Sequence, residues 1–436
     1  MQDDDSLREQ LRASLPGVGL EPIDRMRTPV APMRRRSGTT QPPTDRVELL
    51  SLTRGADGVL RWQVGMPTIQ ALTGGRRAGA RAPQGRIVEQ FAFEKIEPNK
   101  VGSLLDTLDV KLTPPRGLRR WNPQKKKLEP FQGSAAKDKN VLLFVHGTFS
   151  NCDNMLAEIN EAPQRVGKSL LEDAANHYDL VLTFDHPTVA VSPAMNAFDL
   201  STLLRPLPKK LDVVAHSRGG LVTRWFLEGF ANPTMKSRAV LVATSIAGTS
   251  LAAPHRLRGA FDHLANIGSV LGKTASTVAP HPFIVASGTL LSVMCSIVKF
   301  GASTPALDAA VAMVPGLQGQ SRVGNNPELT RLRSNYAIGS IDYSAVVSDF
   351  QPKEPGWNFL QHFSKPLQRL ANWGADLVFD SPNDLVVDVA SMHDFADKQL
   401  LAKSDIHDFG VSEKVHHTNY FRQPETLAWI RKRFGF

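Results

Sequence analysis

A serine hydroxyl, an imidazole and a carboxylate can cut an acyl bond if the chain brings them together, and three stretches of this sequence hold such groups in suggestive settings. The first runs Leu211-Asp-Val-Val-Ala-His-Ser-Arg-Gly-Gly-Leu-Val-Thr-Arg-Trp-Phe-Leu-Glu228. Its opening residues suit a buried parallel strand, and from Leu221 the apolar residues recur at helical spacing. Ala215, Gly219 and Gly220 are small where the strand must turn sharply into the helix, which puts Ser217 at the apex of a nucleophile elbow. Serines between small residues also occur in ordinary turns; the strand before Ser217 and the helix after it favour the nucleophile.

At neutral pH a hydroxyl attacks slowly, so a base and its orienting acid must come from elsewhere. Asp380-Ser-Pro-Asn-Asp384 is a polar turn after a short apolar run, and Asp384 is the preferred acid, with Asp380 and Asp388 as neighbouring alternatives. Val411-Ser-Glu-Lys-Val-His416-His417 lies in a loop before a final helix over Pro424 to Phe434. Adjacent histidines cannot both point inward easily, and His417 is preferred over His416 as the base. The oxyanion of the tetrahedral intermediate needs two N–H donors. Arg218, the residue after the nucleophile, supplies one. The turn after the apolar strand Val141 to Val145 fits the other, with Thr148 of His146-Gly147-Thr148-Phe149 as donor. His146 reads as a brace for that turn rather than a base, His216 as a packing residue, and Asp185 and His186 as rim residues beyond the strand Tyr178 to Phe184.

Together, His146-Gly147 after a strand, Ala215-His-Ser-Arg-Gly219, the Asn383-Asp384 turn and His417 followed by Thr-Asn-Tyr-Phe and Pro424-Glu425 resemble the α/β-hydrolase superfamily, and within it bacterial lipases and esterases. The resemblance covers about residues 138 to 436. It implies a mostly parallel central sheet, a Ser217-His417-Asp384 triad with backbone donors at Thr148 and Arg218, and no cofactor or metal in the mechanism. The Ala-x-Ser-x-Gly form resembles a variant of some bacterial lipases. Leu385 stands where many relatives have glycine after the acid. The expected activity is hydrolysis of carboxylic esters, lipids above all, through an acyl-enzyme. The rivals are acyl transfer by the same triad and a non-catalytic interaction protein that keeps the fold.

These groups must be positioned by the rest of a 436-residue chain, longer than a usual single domain. Residues 1–45, rich in Pro, Arg, Ser and Thr, read as a mobile arm with a short helix near Ser6 to Ala13. Residues 46–137 read as a β-rich extension with strands at Val47 to Leu52, Val59 to Val64 and Arg86 to Glu94, ending in a basic linker from about Pro114 to Lys139. Residues 138–436 form the hydrolase domain. Helices are expected over 153–175, and strands at Arg238 to Ser245, Asn335 to Ser340 and Ala375 to Phe379. The insertion 252–323 is largely apolar, and Phe283 to Val298 carries no charge; it reads as a lid or cap over a hydrophobic pocket, ahead of a buried core helix or a membrane span.

Two cysteines, Cys152 and Cys295, build no disulfide framework, and no Cys/His cluster has zinc spacing. The polar start Met-Gln-Asp-Asp-Asp lacks the pattern of a secretory signal, so the cytoplasm is the expected location. A net charge of +9 gathers at Arg25 to Arg36 and Arg116 to Lys127. Such runs are mostly solvated loops; here they suit peripheral contact with an anionic membrane surface better than nucleic acid.

Overall fold

The computed structural model describes residues 2–23, 47–65, 85–94, 98–232, 234–253, 256–274, 281–297, 311–322, 326–334, 341–363, 378–379, 381–396 and 399–436. Its strands are β1 Glu21–Pro22, β2 Val47–Arg54, β3 Leu60–Gly65, β4 Arg86–Glu94, β5 Gly117–Asn122, β6 Lys127–Pro130, β7 Asn140–Val145, β8 Leu180–Asp185, β9 Lys210–His216, β10 Lys236–Val242, β11 Ile341–Phe350, a ribbon of β12 Asp394–Ala396 and β13 Gln399–Leu400, and β14 Ile406–Ser412. The helices that matter here are α1 Gln2–Ser14, α2 Val101–Leu112, α3 Cys152–Asn160, α4 Val166–His177, α5 Pro193–Leu203, α6 Gly219–Trp225, α7 Leu257–Thr274, α8 Pro282–Ile297 and α9 Pro424–Phe434.

The chain has the α/β-hydrolase fold. Eight strands form one sheet in the order β14-β11-β10-β9-β7-β8-β5-β6. The pairs from β14 to β8 are parallel, and β5 and β6 add an antiparallel edge. Val141 to Val145 are buried because helices cover both faces, so β7 reads as an unbroken apolar run rather than an alternating one. Leu156, Leu170 and Leu427 of α3, α4 and α9 pack on one face, and Leu200 and Val222 of α5 and α6 on the other. Val145 pairs with Ala215 and Val242 with His216, so the turns after β7, β9 and β10 emerge at one carboxyl end of the sheet, where such folds bind ligands.

The stretch expected to be a basic linker is instead this sheet's antiparallel edge. Several of its cations are matched: Arg116 pairs with Asp106, Arg119 with Asp153 and Asp185, and Lys125 with Glu129. A strand pairing that satisfies the backbone outweighs a composition that reads as loop. The strand expected at Asn335 to Ser340 lies outside the described residues, and the strand there begins at Ile341. Of Ala375 to Phe379, the described residues are 378 and 379.

A second sheet, β1-β4-β2-β3, packs with the insertion's helices in one apolar cluster, a unit that we term the cap. Residues 2–23 are not an arm: α1 and the turn after it bury Leu7, Leu11, Leu15, Val18 and Leu20 in the same apolar cluster as β2, β3 and β4. The stripe Leu7, Leu11, Leu15 at four-residue spacing outweighs the polar residues around it. Residues 24–46, with the arginine-rich run, lie outside the described residues. The insertion's helices α7 and α8 join that cluster through Phe261, Leu264, Ile284 and Leu290. The edge strand β3 finds side chains where a neighbouring strand would stand. Trp62 N–H donates to Asp262 (2.6 Å), Leu60 N–H to Asn266 (2.9 Å), and Asn266 donates back to Leu60 C=O (2.8 Å). Among the described residues no helix is long and apolar enough to cross a membrane, α8 being 16 residues long.

Candidate functional site

Ser217 stands one residue past β9 with φ +53, in the left-handed region that a sharp strand-to-helix turn imposes. Its N–H donates to Val242 C=O at 2.9 Å, which ties the apex to β10. Helix α6 can start this close because Gly219 has no side chain: a Cβ there would sit 2.5 Å from Val145 O.

His417 Nε2 lies 3.0 Å from Ser217 Oγ, and His417 Nδ1 lies 2.9 Å from Asp384 Oδ2. All three residues are buried, Asp384 completely. A carboxylate at Nδ1 holds the proton there and leaves the Nε2 lone pair facing the serine hydroxyl. Asp384 is itself held. Its Oδ1 accepts Val386 N–H and Val387 N–H at 3.1 and 2.8 Å, and its Oδ2 accepts Tyr420 Oη–H at 3.3 Å. The turn around Asp384 reaches its shape with Leu385 at φ +92; the Leu385 N–H donates to Asn383 Oδ1, and its C=O accepts from His263.

The other candidates sit elsewhere. Asp388 accepts from Ser250 and Ser381 and pairs with Arg322, and Asp380 lies outside the described residues. His416 contacts Thr418 through Nδ1 and packs beside Phe350 and Trp357; burial pushes its pKa down to about 3. His216, likewise pushed to about 3 by burial, makes a 2.9 Å hydrogen bond to His417 C=O and so steadies the backbone there. His146 Nε2 accepts His186 N–H at 3.1 Å, its ring stacks on that of His186 at 4.2 Å, and burial holds its pKa down. A ring wedged this way packs against the turn that carries Thr148. Asp185 and His186 are buried rather than at the rim: Asp185 accepts from Arg119 and from Cys152 N–H, so it locks the start of α3 beneath the site.

Thr148 N–H and Arg218 N–H both lie next to Ser217 in the fold, and neither donates to a protein acceptor among the described residues. Two unsatisfied amides beside a serine hydroxyl could receive the charge that develops on a carbonyl oxygen. A cavity of about 380 Å³ opens over Ser217 and His417. One wall is apolar, with Leu257, Phe261 and Leu264 of α7 and Phe283 and Leu290 of α8; Asn154, Glu158, Thr418 and Arg422 give the other side its polarity.

Three residues at the site escaped the reading of the sequence. Tyr420 has a local signal, three residues past His417. Gln320 of the insertion accepts the Thr148 hydroxyl at 2.9 Å and donates to Gly316 C=O, and an isolated glutamine carries no sign of that. Glu158 accepts Phe421 N–H at 3.0 Å, and burial raises its pKa to about 8. Among the described residues no group of three or more His, Cys, Asp or Glu could hold a metal ion.

A family model described as "Domain of unknown function (DUF7379)" matches residues 109–435. No curated protein matches the sequence. Among solved structures, the chain is similar to a phospholipase, PlaB, from Legionella pneumophila, with 11% identity over 58% of this chain and 45% of that one at a TM-score of 0.35. Lipase 1 from Pelosinus fermentans matches at 14% identity over 66% and 98% of the two chains, with a TM-score of 0.38. The metagenomic carboxyl esterase MGS0156 matches at 16% identity over 70% and 77%, with a TM-score of 0.34.

Proposed function

The chain belongs to the family described as Domain of unknown function (DUF7379), and we propose that it hydrolyses carboxylic esters with apolar acyl chains through an acyl-serine intermediate. One observation carries the reading: the hydrogen-bonded line from Ser217 through His417 to Asp384 opens into a cavity walled by Leu257, Phe261, Leu264, Phe283 and Leu290.

In the proposed reaction Ser217 Oγ attacks the ester carbonyl while His417 Nε2 takes its proton. Asp384 keeps the imidazole in the required tautomer and offsets the charge of the imidazolium. The carbonyl oxygen becomes an oxyanion between Thr148 N–H and Arg218 N–H, an arrangement worth about 3–4 kcal/mol per donor in enzymes of this kind. Collapse breaks the ester C–O bond, and the leaving alkoxide takes the proton back from His417. Water then attacks acyl-Ser217 with His417 again as base, and the acid leaves.

The apolar wall supports an acyl chain as the part that is held. Each methylene removed from water contributes about 0.8 kcal/mol, so rates should climb with chain length until the cavity is full. Glycerolipid and phospholipid esters fit this description, with α7 and α8 as the cover over the chain.

The test is a series of p-nitrophenyl esters from acetate upward on the wild type and Ser217→Ala, together with fluorophosphonate labelling. The expected result is a rise in kcat/KM with chain length, loss of turnover in the variant and a label on Ser217. An unlabelled Ser217, or a variant that still turns over at the wild-type rate, would overturn the reading.

A further inference from the structure

The loop after β8 is held from both sides by opposite charges, neither of which belongs to the triad. Asp109, fully buried on α2, accepts Thr188 N–H at 2.6 Å, Val189 N–H at 3.0 Å and Ala190 N–H at 2.6 Å. It also accepts the Thr188 hydroxyl at 3.2 Å. A carboxylate offers no proton, so the Thr188 hydroxyl must donate to it, which turns an oxygen lone pair toward Phe149 N–H at 3.3 Å. Phe149 has φ +57, a conformation that an aromatic residue keeps when its surroundings hold it there, and it directly follows Thr148. On the loop's other side Val191 C=O accepts Arg218 Nη2 at 2.5 Å, and Arg218 directly follows Ser217. Arg218 is fully buried, and its Nε and Nη1 have no hydrogen-bond partner, so the loop carbonyl is the one anchor for its head among the described residues.

We propose that Asp109, acting through Thr188, is a positioning residue that sets the geometry of both oxyanion donors at once. The inference rests on the ester-hydrolase reading. Asp109 and Thr188 orient the peptide after Thr148, and the loop they hold, 188–191, carries the carbonyl that fixes the Arg218 side chain. A shift of the loop therefore moves the two donors relative to each other, and a hole built of two amides loses most of its effect when either is displaced by about an ångström. This coupling lies outside the serine, the base and the acid, and it begins on a helix far upstream of them in the chain.

The experiment compares Asp109→Asn, Thr188→Val and Thr188→Ser with the wild type on p-nitrophenyl butyrate. Thermal melting is followed in parallel, with inhibition by an alkyl trifluoromethyl ketone, whose serine adduct places an oxyanion in the same hole. Thr188→Val should lower kcat about tenfold with KM within about twofold, and Asp109→Asn about a hundredfold, in the range of a displaced oxyanion donor. The ketone should weaken by the same factor as kcat/KM in each variant. Thr188→Ser, which keeps the hydroxyl, should recover most of the rate. A Thr188→Val enzyme with wild-type kcat, or one whose loss lies in KM while the ketone binds unchanged, would overturn the proposal. If Asp109→Asn fails to fold, the Thr188 pair decides alone. Absence of Ser217-dependent turnover in the wild type would instead overturn the ester-hydrolase reading, so the two failures are distinguishable.

Discussion

In the body of the molecule the reactive groups sit beside the turns that hold them: Ser217 follows β9 by one residue, and Leu385, with its positive φ, adjoins Asp384. Ser217 and His417 also meet across 200 residues, each from its own turn or loop, whereas in the cap Asp262 and Asn266 meet the edge of β3 from the face of α7, at separations of 200 and 206 residues. Both regions are buried, but they hold their polar atoms under different constraints. Strained local backbone presents a few atoms accurately, which is what bond-making needs. Long-range packing builds an apolar wall whose shape depends on many weak contacts, which is what holding a hydrocarbon chain needs. The comparison implies that chemistry and chain-length preference can be damaged separately.

The largest separation should come from Ser217→Ala, which is expected to reduce kcat by about 10⁶-fold, with Asp384→Asn costing about 10⁴-fold. Thermal melting should leave Ser217→Ala near the wild-type Tm, because a hydroxyl at a cavity floor holds little of the fold. Trp62→Ala should do the reverse. Trp62 is buried against Gly288 of α8, and its indole N–H donates to Ser287 at 3.1 Å. Removing it should cost about 3–5 kcal/mol of stability. Turnover of long-chain esters should fall more than that of acetate, and equal loss on both would break the distinction between cap and body.

A smaller effect sharpens the role of strain. Leu385→Gly relieves a left-handed backbone worth about 1–2 kcal/mol but empties a buried leucine site worth about 2–5 kcal/mol. We expect a net loss of stability, read by urea unfolding, and a stabilised variant would show that strain outweighs packing in the acid turn. The smallest effect is the pH dependence. Burial pushes His263 down to about 4 and lowers His146 and His186 from the ordinary histidine value of 6.5. Between about pH 4 and 6.5 the unfolded chain therefore binds more protons than the folded one, so stability rises with pH in that window and falls on acidification from pH 7 to 5. Glu158, raised from 4.5 to about 8, acts in the opposite sense, since its folded form keeps a proton that the unfolded chain has released. Glu158→Gln should accordingly steepen the rise, a difference read by unfolding at pH 5 and 7.

Much of the body was legible because its signals are local. An apolar run of five residues in β7, and a mostly apolar one in β9 before a small-residue turn, mark these strands without reference to anything distant, and the elbow follows from the steric need for Gly219. That one of His416 and His417 must turn away follows from their adjacency, but what separates them in the structure is packing: Phe350 and Trp357 occupy the side to which His416 turns. The N-terminal residues were misread for the complementary reason. A leucine stripe as short as that of α1 gains its energy from β2, β3 and β4, strands that a composition-based reading treats as a separate extension.

What the chain determines by itself is the chemistry available and the turns that expose it, because rotamer, dihedral and capping preferences act over a few residues. The tertiary structure alone decided which acid faces which imidazole, that the N-terminal sheet and the insertion share one core, and that Asp109 reaches the loop beside Phe149 and Arg218. Such pairings are settled by burial and by the satisfaction of every enclosed donor and acceptor, quantities that belong to the packed molecule and to no segment of it.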